Sequence, residues 1–168
     1  AIGIQGCRIR FLDKSDDVHF AEQLAARDPA LTVFQYGMNE SEDGELFPLD
    51  QYASTMKDVL KQVRTALPNS SCLLVGPMDR ADKKASGYSS RPVVPKLAAI
   101  QRQVAAEVGC AYWETFTAMG GFWSMGIWVQ RGLGGADLAH PSGTGADVLG
   151  RWIYPALMES YASYVNRR

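Results

Sequence analysis

Short apolar runs alternate along this chain with longer stretches in which apolar residues recur every three or four positions. Residues 2–4 form the first run. Leu31-Thr32-Val33-Phe34-Gln35-Tyr36 form the second, Cys72-Leu73-Leu74-Val75 the third and Ala111-Tyr112-Trp113 the fourth. Their length and β-branched or aromatic content predict buried strands. Between them the period becomes helical. Residues 16–27 place Val18, Ala21, Leu24 and Ala25 on one face, and Tyr52, Met56, Val59, Leu60, Val63 and Leu67 mark a longer helix stopped by Pro68-Asn69. Leu97, Ile100, Val104 and Val108 mark a third, with Gly109 as its C-terminal cap. Residues 142–166 read as mostly helix, with Pro155 placed to kink it.

Strand–helix alternation with near-continuous apolar strands predicts an α/β fold, a parallel sheet covered by helices on both faces. Sites in such sheets collect at the carboxyl ends of the strands. The loops expected there, residues 37–47, 77–91, 114–131 and 132–142, are the longest and most glycine-rich in the chain. No repeat, linker or domain boundary interrupts residues 1–168, which read as a single domain large enough to bury a core. The sequence opens on Ala1 inside its first apolar run, so a removed leader or a longer parent chain is expected.

Composition narrows the partners. A formal charge of −1 gives no electrostatic reason to expect nucleic acid or an anionic membrane surface. No stretch of about 18 apolar residues is present to span a bilayer, and no basic-then-apolar signal peptide opens the chain. Three cysteines show none of the paired short spacings of a zinc site. Cys72 and Cys110 each open an apolar run and read first as buried free thiols. On neighbouring parallel strands, though, their sulfurs could bond in an oxidising compartment. Cys7 follows the first run and shows no activating neighbour that the sequence can reveal.

Candidate chemistry centres on Gly135-Ala136-Asp137-Leu138-Ala139-His140-Pro141-Ser142-Gly143, a glycine-rich turn that opens the last helix. The chain has two histidines. His19 falls beside Glu22 and Gln23 on the polar side of its helix, which leaves His140 as candidate general base and Asp137 as its orienter. The second strand exits into Tyr36-Gly37-Met38-Asn39-Glu40, where Asn39 offers an uncharged amide donor to a developing oxyanion. Gly-x-Asn alone is more often a turn; with Asp-x-x-His on an alternating α/β pattern it is far more specific.

These residues resemble the sequence blocks of the SGNH (GDSL-type) hydrolases, flavodoxin-like esterases and acyl hydrolases. Gly37-Met38-Asn39-Glu40 is similar to the third block, with Glu40 in place of the usual Asp, and Asp137-Leu138-Ala139-His140 matches the last. Gly3-Ile4-Gln5-Gly6-Cys7-Arg8 looks like the second, which supplies an oxyanion glycine; Gly6 is the first choice and Gly3 the alternative. The first block, Gly-Asp-Ser with the nucleophile, is absent and expected upstream of residue 1. Ser71 begins a strand at the wrong end of the sheet, Ser41 sits in a polar loop, Ser142 reads as a helix N-cap, and Ser89 and Ser90 lie in a loop.

The resemblance implies a three-layer α/β/α sandwich whose first strand is missing from this chain. It implies a serine esterase needing no metal or organic cofactor, and an N-terminal segment or separate chain that carries the nucleophile. By the same resemblance the substrate is an acetyl or short acyl ester of a carbohydrate such as an acetylated polysaccharide, or a small ester. A periplasmic or secreted setting is favoured over the cytoplasm. Residues 119–128 are unusually aromatic; a short helix packed on the core is preferred there, the alternative being an apolar wall in which Trp123, with Met38, lines the substrate. Arg80 and Lys84 could meet an anionic substrate, but loop solvation is the expectation. Two rivals remain: a non-catalytic relative binding glycan or a protein, and an unrelated flavodoxin-like binding module. Against the latter, no phosphate-cradling glycine loop follows any strand.

Overall fold

The computed structural model describes residues 6–167, so the expected strand at residues 2–4 lies outside the described residues. Along the chain run α1 (Ile9–Asp13), α2 (Asp17–Ala25), β1 (Leu31–Gln35), a 3-10 helix (Glu40–Leu46), α3 (Leu49–Ala66), β2 (Ser71–Val75), β3 (Ala81–Lys84), β4 (Gly87–Ser90), α4 (Val93–Val108), β5 (Ala111–Trp113), α5 (Thr115–Met119), α6 (Ser124–Gln130) and α7 (Gly143–Val165). The strands β1, β2 and β5 form a parallel sheet in that order, with Val33 opposite Leu73 and Leu73 opposite Ala111.

Alternation along the strands sorts their side chains between two faces. Phe34, Cys72, Leu74 and Tyr112 face α3 and α4 and join the main core with Met56, Leu60, Leu97 and Val104. These are the stripes the helical periods predict: α3 buries Tyr52, Met56, Val59, Leu60 and Val63, and α4 ends at Gly109, which turns left-handed at φ 74°. On the opposite face Leu31, Leu73 and Trp113 look towards Ile153, Leu157 and Tyr161 of α7 across a groove of about 610 Å³. That helix completes the third layer, yet Trp152, Tyr154, Tyr161 and Tyr164 remain largely exposed. Among the described residues β1 pairs only with β2, so its other edge carries no strand, and Val33 is 53% exposed.

Several expectations change. Residues 79–91 are not a loop but hold an antiparallel hairpin pairing Ala81 with Ser90 and Lys84 with Gly87. Only Ala81 and Ser90 at its root are buried, so no apolar alternation announces it. The polar stretch after Asn39 winds into the 3-10 helix. Cys72 and Cys110 are not free thiols; they form a disulfide between the amino-terminal ends of β2 and β5. In α2, Val18 points to solvent, and Leu24 with Phe20 packs against Val63 and Leu67 instead. Residues 114–131 supply α5 and α6, which bury Met125 and Trp128 while Phe122 and Trp123 stay exposed.

Candidate active site

The carboxyl side of the sheet gathers two short segments, one ending in His140 and one carrying Asn39. The first is a closed turn. The Gly135 N–H donates to the His140 carbonyl (2.7 Å) and the Leu138 N–H to the Gly135 carbonyl (3.1 Å), with Leu138 in a left-handed conformation at φ 59°. Ser142 fixes the start of α7: its Oγ accepts from the Gly145 N–H (3.1 Å) and donates to the Gly132 carbonyl (2.7 Å). Gly145 lies so close to the Leu133 carbonyl that a Cβ would collide with it.

Inside this turn Asp137 makes three hydrogen bonds. Its Oδ1 accepts the N–H groups of Ala139 (3.1 Å) and His140 (3.0 Å), and its Oδ2 lies 2.6 Å from His140 Nδ1. Partial burial pushes the Asp137 carboxyl up, but the imidazole and the two backbone amides outweigh it and bring the group down to about 2. An ionised carboxylate only accepts, so Nδ1–H donates to it, and in the neutral imidazole Nε2 is then the acceptor. The side chains of His140 and Asp137 are 66% and 54% exposed. Among the described residues no serine hydroxyl hydrogen-bonds to His140: Ser41 Oγ donates to the Met38 carbonyl, Ser90 Oγ to Asp79, and Ser142 Oγ to Gly132. His19 is exposed on α2, its N–H capped by Asp16, and takes no part.

The second segment turns at Gly37, whose φ of 107° and closeness to Gln101 leave no room for a side chain; a Cβ would sit 2.9 Å from Gln101 Nε2. Gln101, itself buried, donates to the Tyr36 carbonyl (2.9 Å) and to Tyr52 Oη (2.7 Å). Glu40 is 1% exposed, and its two oxygens accept the N–H groups of Ile9 (2.8 Å) and Gly37 (2.9 Å). The residue that departs from the family pattern is therefore an internal anchor, which reach explains: its extra methylene spans to α1. Asn39 Nδ2 donates to the Cys7 carbonyl at 2.9 Å, so Asn39 and the Gly6-Cys7 backbone lie side by side. One amide proton of Asn39 is left for another acceptor. Gly6 is exposed with φ 70°; Gly3 lies outside the described residues.

A satellite cluster ties the two segments together. Met38 and Leu138 both pack on Met78, Ala81, Met119, Met125 and Trp128. Met38 thus serves largely as packing, while Trp123 stands 63% exposed with a left-handed backbone at φ 67°. Arg80 is not solvated as expected: its Nη1 donates to the Met38 carbonyl (3.1 Å) and its Nη2 lies 3.4 Å from Glu42. Lys84 is exposed near the hairpin tip. Sequence reasoning missed Arg80, Ala81 and Glu40 because their roles are backbone contacts across distant segments.

No protein-family model and no curated protein matches the sequence. Solved structures do match its shape. A peptidoglycan O-acetylesterase superposes with a TM-score of 0.89 at 24% identity, over 97% of this chain and 46% of that one. The chain has the SGNH hydrolase fold. An acetylxylan esterase from Geobacillus stearothermophilus (TM-score 0.61, 19% identity) is matched over 89% of this chain and 67% of its own. A GDSL-like lipase from Bacteroides thetaiotaomicron (TM-score 0.65, 16% identity) is matched over 95% and 75%. The SGNH fold of this chain therefore spans less than half the length of the peptidoglycan O-acetylesterase it resembles.

Proposed function

We propose that this protein is a serine-type carboxylic ester hydrolase that removes acetyl groups from a carbohydrate. The observation that carries the reading is the Asp137–His140 pair, in which the carboxylate holds the imidazole by Nδ1 while the His140 side chain stays 66% exposed. The nucleophile is a serine on a strand outside these 168 residues, seated along the open edge of β1 and followed by a helix that enters the groove under α7. Its hydroxyl proton passes to His140 Nε2 as Oγ attacks the ester carbonyl carbon. Asp137 holds the imidazolium that results. The free amide proton of Asn39 and the Gly6 N–H face the tetrahedral oxyanion. Collapse expels the sugar alkoxide, which takes the proton back from His140. Water then repeats the cycle on the acyl-serine and releases acetate.

Carbohydrate as the alcohol part rests on similarity, since two of the matching structures are a peptidoglycan O-acetylesterase and an acetylxylan esterase. One of the matching acetylxylan esterase structures is a catalytic mutant with a histidine replaced by alanine, which supports the role given to His140. The Cys72–Cys110 disulfide favours a periplasmic or secreted setting, where such bonds persist. No helix among the described residues is long and apolar enough to cross a membrane.

The absence of a serine at His140 among the described residues favours a second reading, a non-catalytic relative that binds glycan. Hydrolysis of para-nitrophenyl acetate by the wild type and by His140→Ala, with intact mass on the same sample, separates the two. Activity lost in the variant, from a polypeptide heavier than these 168 residues, supports the esterase. A folded wild type of that larger mass without turnover leaves the glycan-binding reading.

A further inference from the structure

We propose that Arg80 is a positioning residue for the Asn39 amide, and that the β3–β4 hairpin braces the two halves of the site against each other. This rests on the oxyanion role given to Asn39 above. Three carbonyls surround that residue and each is held by an arginine at the hairpin root. Arg80 Nη1 donates to Met38 O (3.1 Å), and Arg91 Nη1 donates to Ser41 O (2.9 Å) and Glu42 O (3.0 Å). The Met38 carbonyl belongs to the same peptide plane as the Asn39 N–H. Fixing that plane fixes the direction in which the Asn39 side chain leaves the backbone.

The next residue does the same for the other half. The Ala81 N–H donates to Leu138 O (3.0 Å), between Asp137 and His140, at the left-handed residue of the turn. Consecutive residues therefore set the peptide beside the oxyanion amide and the peptide beside the imidazole. The brace is itself anchored. The Arg91 N–H donates to Arg80 O (2.8 Å), and Asp79, 0% exposed, accepts Ser90 Oγ (2.8 Å) and the Met125 N–H (2.9 Å) through Oδ2. Arg91 is forked onto Asp82, and Arg80 reaches Glu42 with its second nitrogen, so neither guanidinium is left as an unpaired charge. A planar fork can serve the Met38 carbonyl and Glu42 together; an ammonium on a flexible stem holds one at a time.

The test compares Arg80→Met, Arg80→Lys, Asn39→Ala and the double variant Arg80→Met/Asn39→Ala in the full polypeptide. Lys84→Met serves as control. Displacing a catalytic group by about 1 Å costs on the order of 10²-fold, so Arg80→Met should lower kcat by roughly that factor with KM little changed. Arg80→Lys should fall between it and wild type. In the Asn39→Ala background Arg80→Met should have no further effect, because a positioning residue has nothing left to position. The side-chain amide signals of Asn39 in NMR should shift or broaden in Arg80→Met at an unchanged global fold. An unmoved kcat, or losses that multiply in the double variant, overturns the proposal. If the wild type shows no turnover, the esterase reading fails, and the Asn39 signals decide the brace alone: unmoved signals refute it, shifted signals uphold it.

Discussion

The disulfide offers a stability prediction that also isolates the site. Cys72 and Cys110 are joined across a sequence separation of 38 at the amino-terminal ends of β2 and β5. Closing a loop of that length in the unfolded chain removes entropy worth about 4 kcal/mol at 25 °C on the chain-entropy relation. For a domain of this size 1 kcal/mol moves Tm by about 2–4 °C, so the loss corresponds to roughly 8–16 °C. The double substitution Cys72→Ala/Cys110→Ala should lower Tm by that amount in circular-dichroism melts, and reductant should lower the wild type alike while leaving the variant unmoved. The candidate site lies at the opposite ends of the strands, about 10 Å away along β2, so initial ester hydrolysis well below the melt should be unchanged. A shift under about 2 °C would mean that the unfolded chain gains little freedom on reduction. A lost activity at unchanged fold would mean that the strand ends are not mechanically independent.

Two further outcomes follow from the same geometry. Gly37→Ala should cost about 2–4 kcal/mol, from the left-handed backbone and from pushing Gln101 off its two buried partners; a urea midpoint equal to wild type would refute the steric reading. Asp137 titrates near 2 in the folded protein against 3.8 as its ordinary value, so on acidification the unfolded chain binds the proton first. Its stabilising contribution is therefore complete above about pH 4 and lost between about pH 4 and 2, and is modest because the pair is over half exposed. Asp137→Asn should flatten the acid limb of stability, measured by urea unfolding at pH 5 and pH 3; an identical slope would count against the pairing.

Periodicity made the parallel sheet, α3 and α4 legible, because their apolar stripes bury against one core; α7 was legible as a helix, though Gly145 is its one buried residue. Periodicity could not show the hairpin, where Lys83, Lys84 and Gly87 are all solvent-facing and the strands are held by backbone pairing and by two arginines. Asp137, His140 and Asn39 could be singled out because the roles proposed for them demand particular residue types at short spacings, and the first two do hydrogen-bond to each other. Arg80 was not: its partner is a carbonyl 42 residues away, which any side chain could carry. Glu40 looked like a conservative departure, and only its reach to Ile9 shows why the longer acid fits. The disulfide stood as the less favoured of two readings, since strand adjacency in a parallel sheet is a matter of topology rather than of spacing.

One occupant would account for three features at once: the edge of β1 that carries no strand among the described residues, the groove beneath α7 and the exposed imidazole of His140. A strand laid parallel to β1 would satisfy its outward N–H and C=O groups, which a sheet edge otherwise offers to any passing chain. Parallel strands need a crossover of a dozen or more residues, usually a helix, and the groove between the sheet and α7 has apolar walls on both sides to receive one. Hydrogen exchange tests this directly. In the full polypeptide the β1 amides that point away from β2 should exchange as slowly as those of β2, whereas in residues 1–168 alone they should exchange orders of magnitude faster. Equal, fast exchange in both would leave the edge open to solvent in the native protein and remove the seat proposed for the nucleophile.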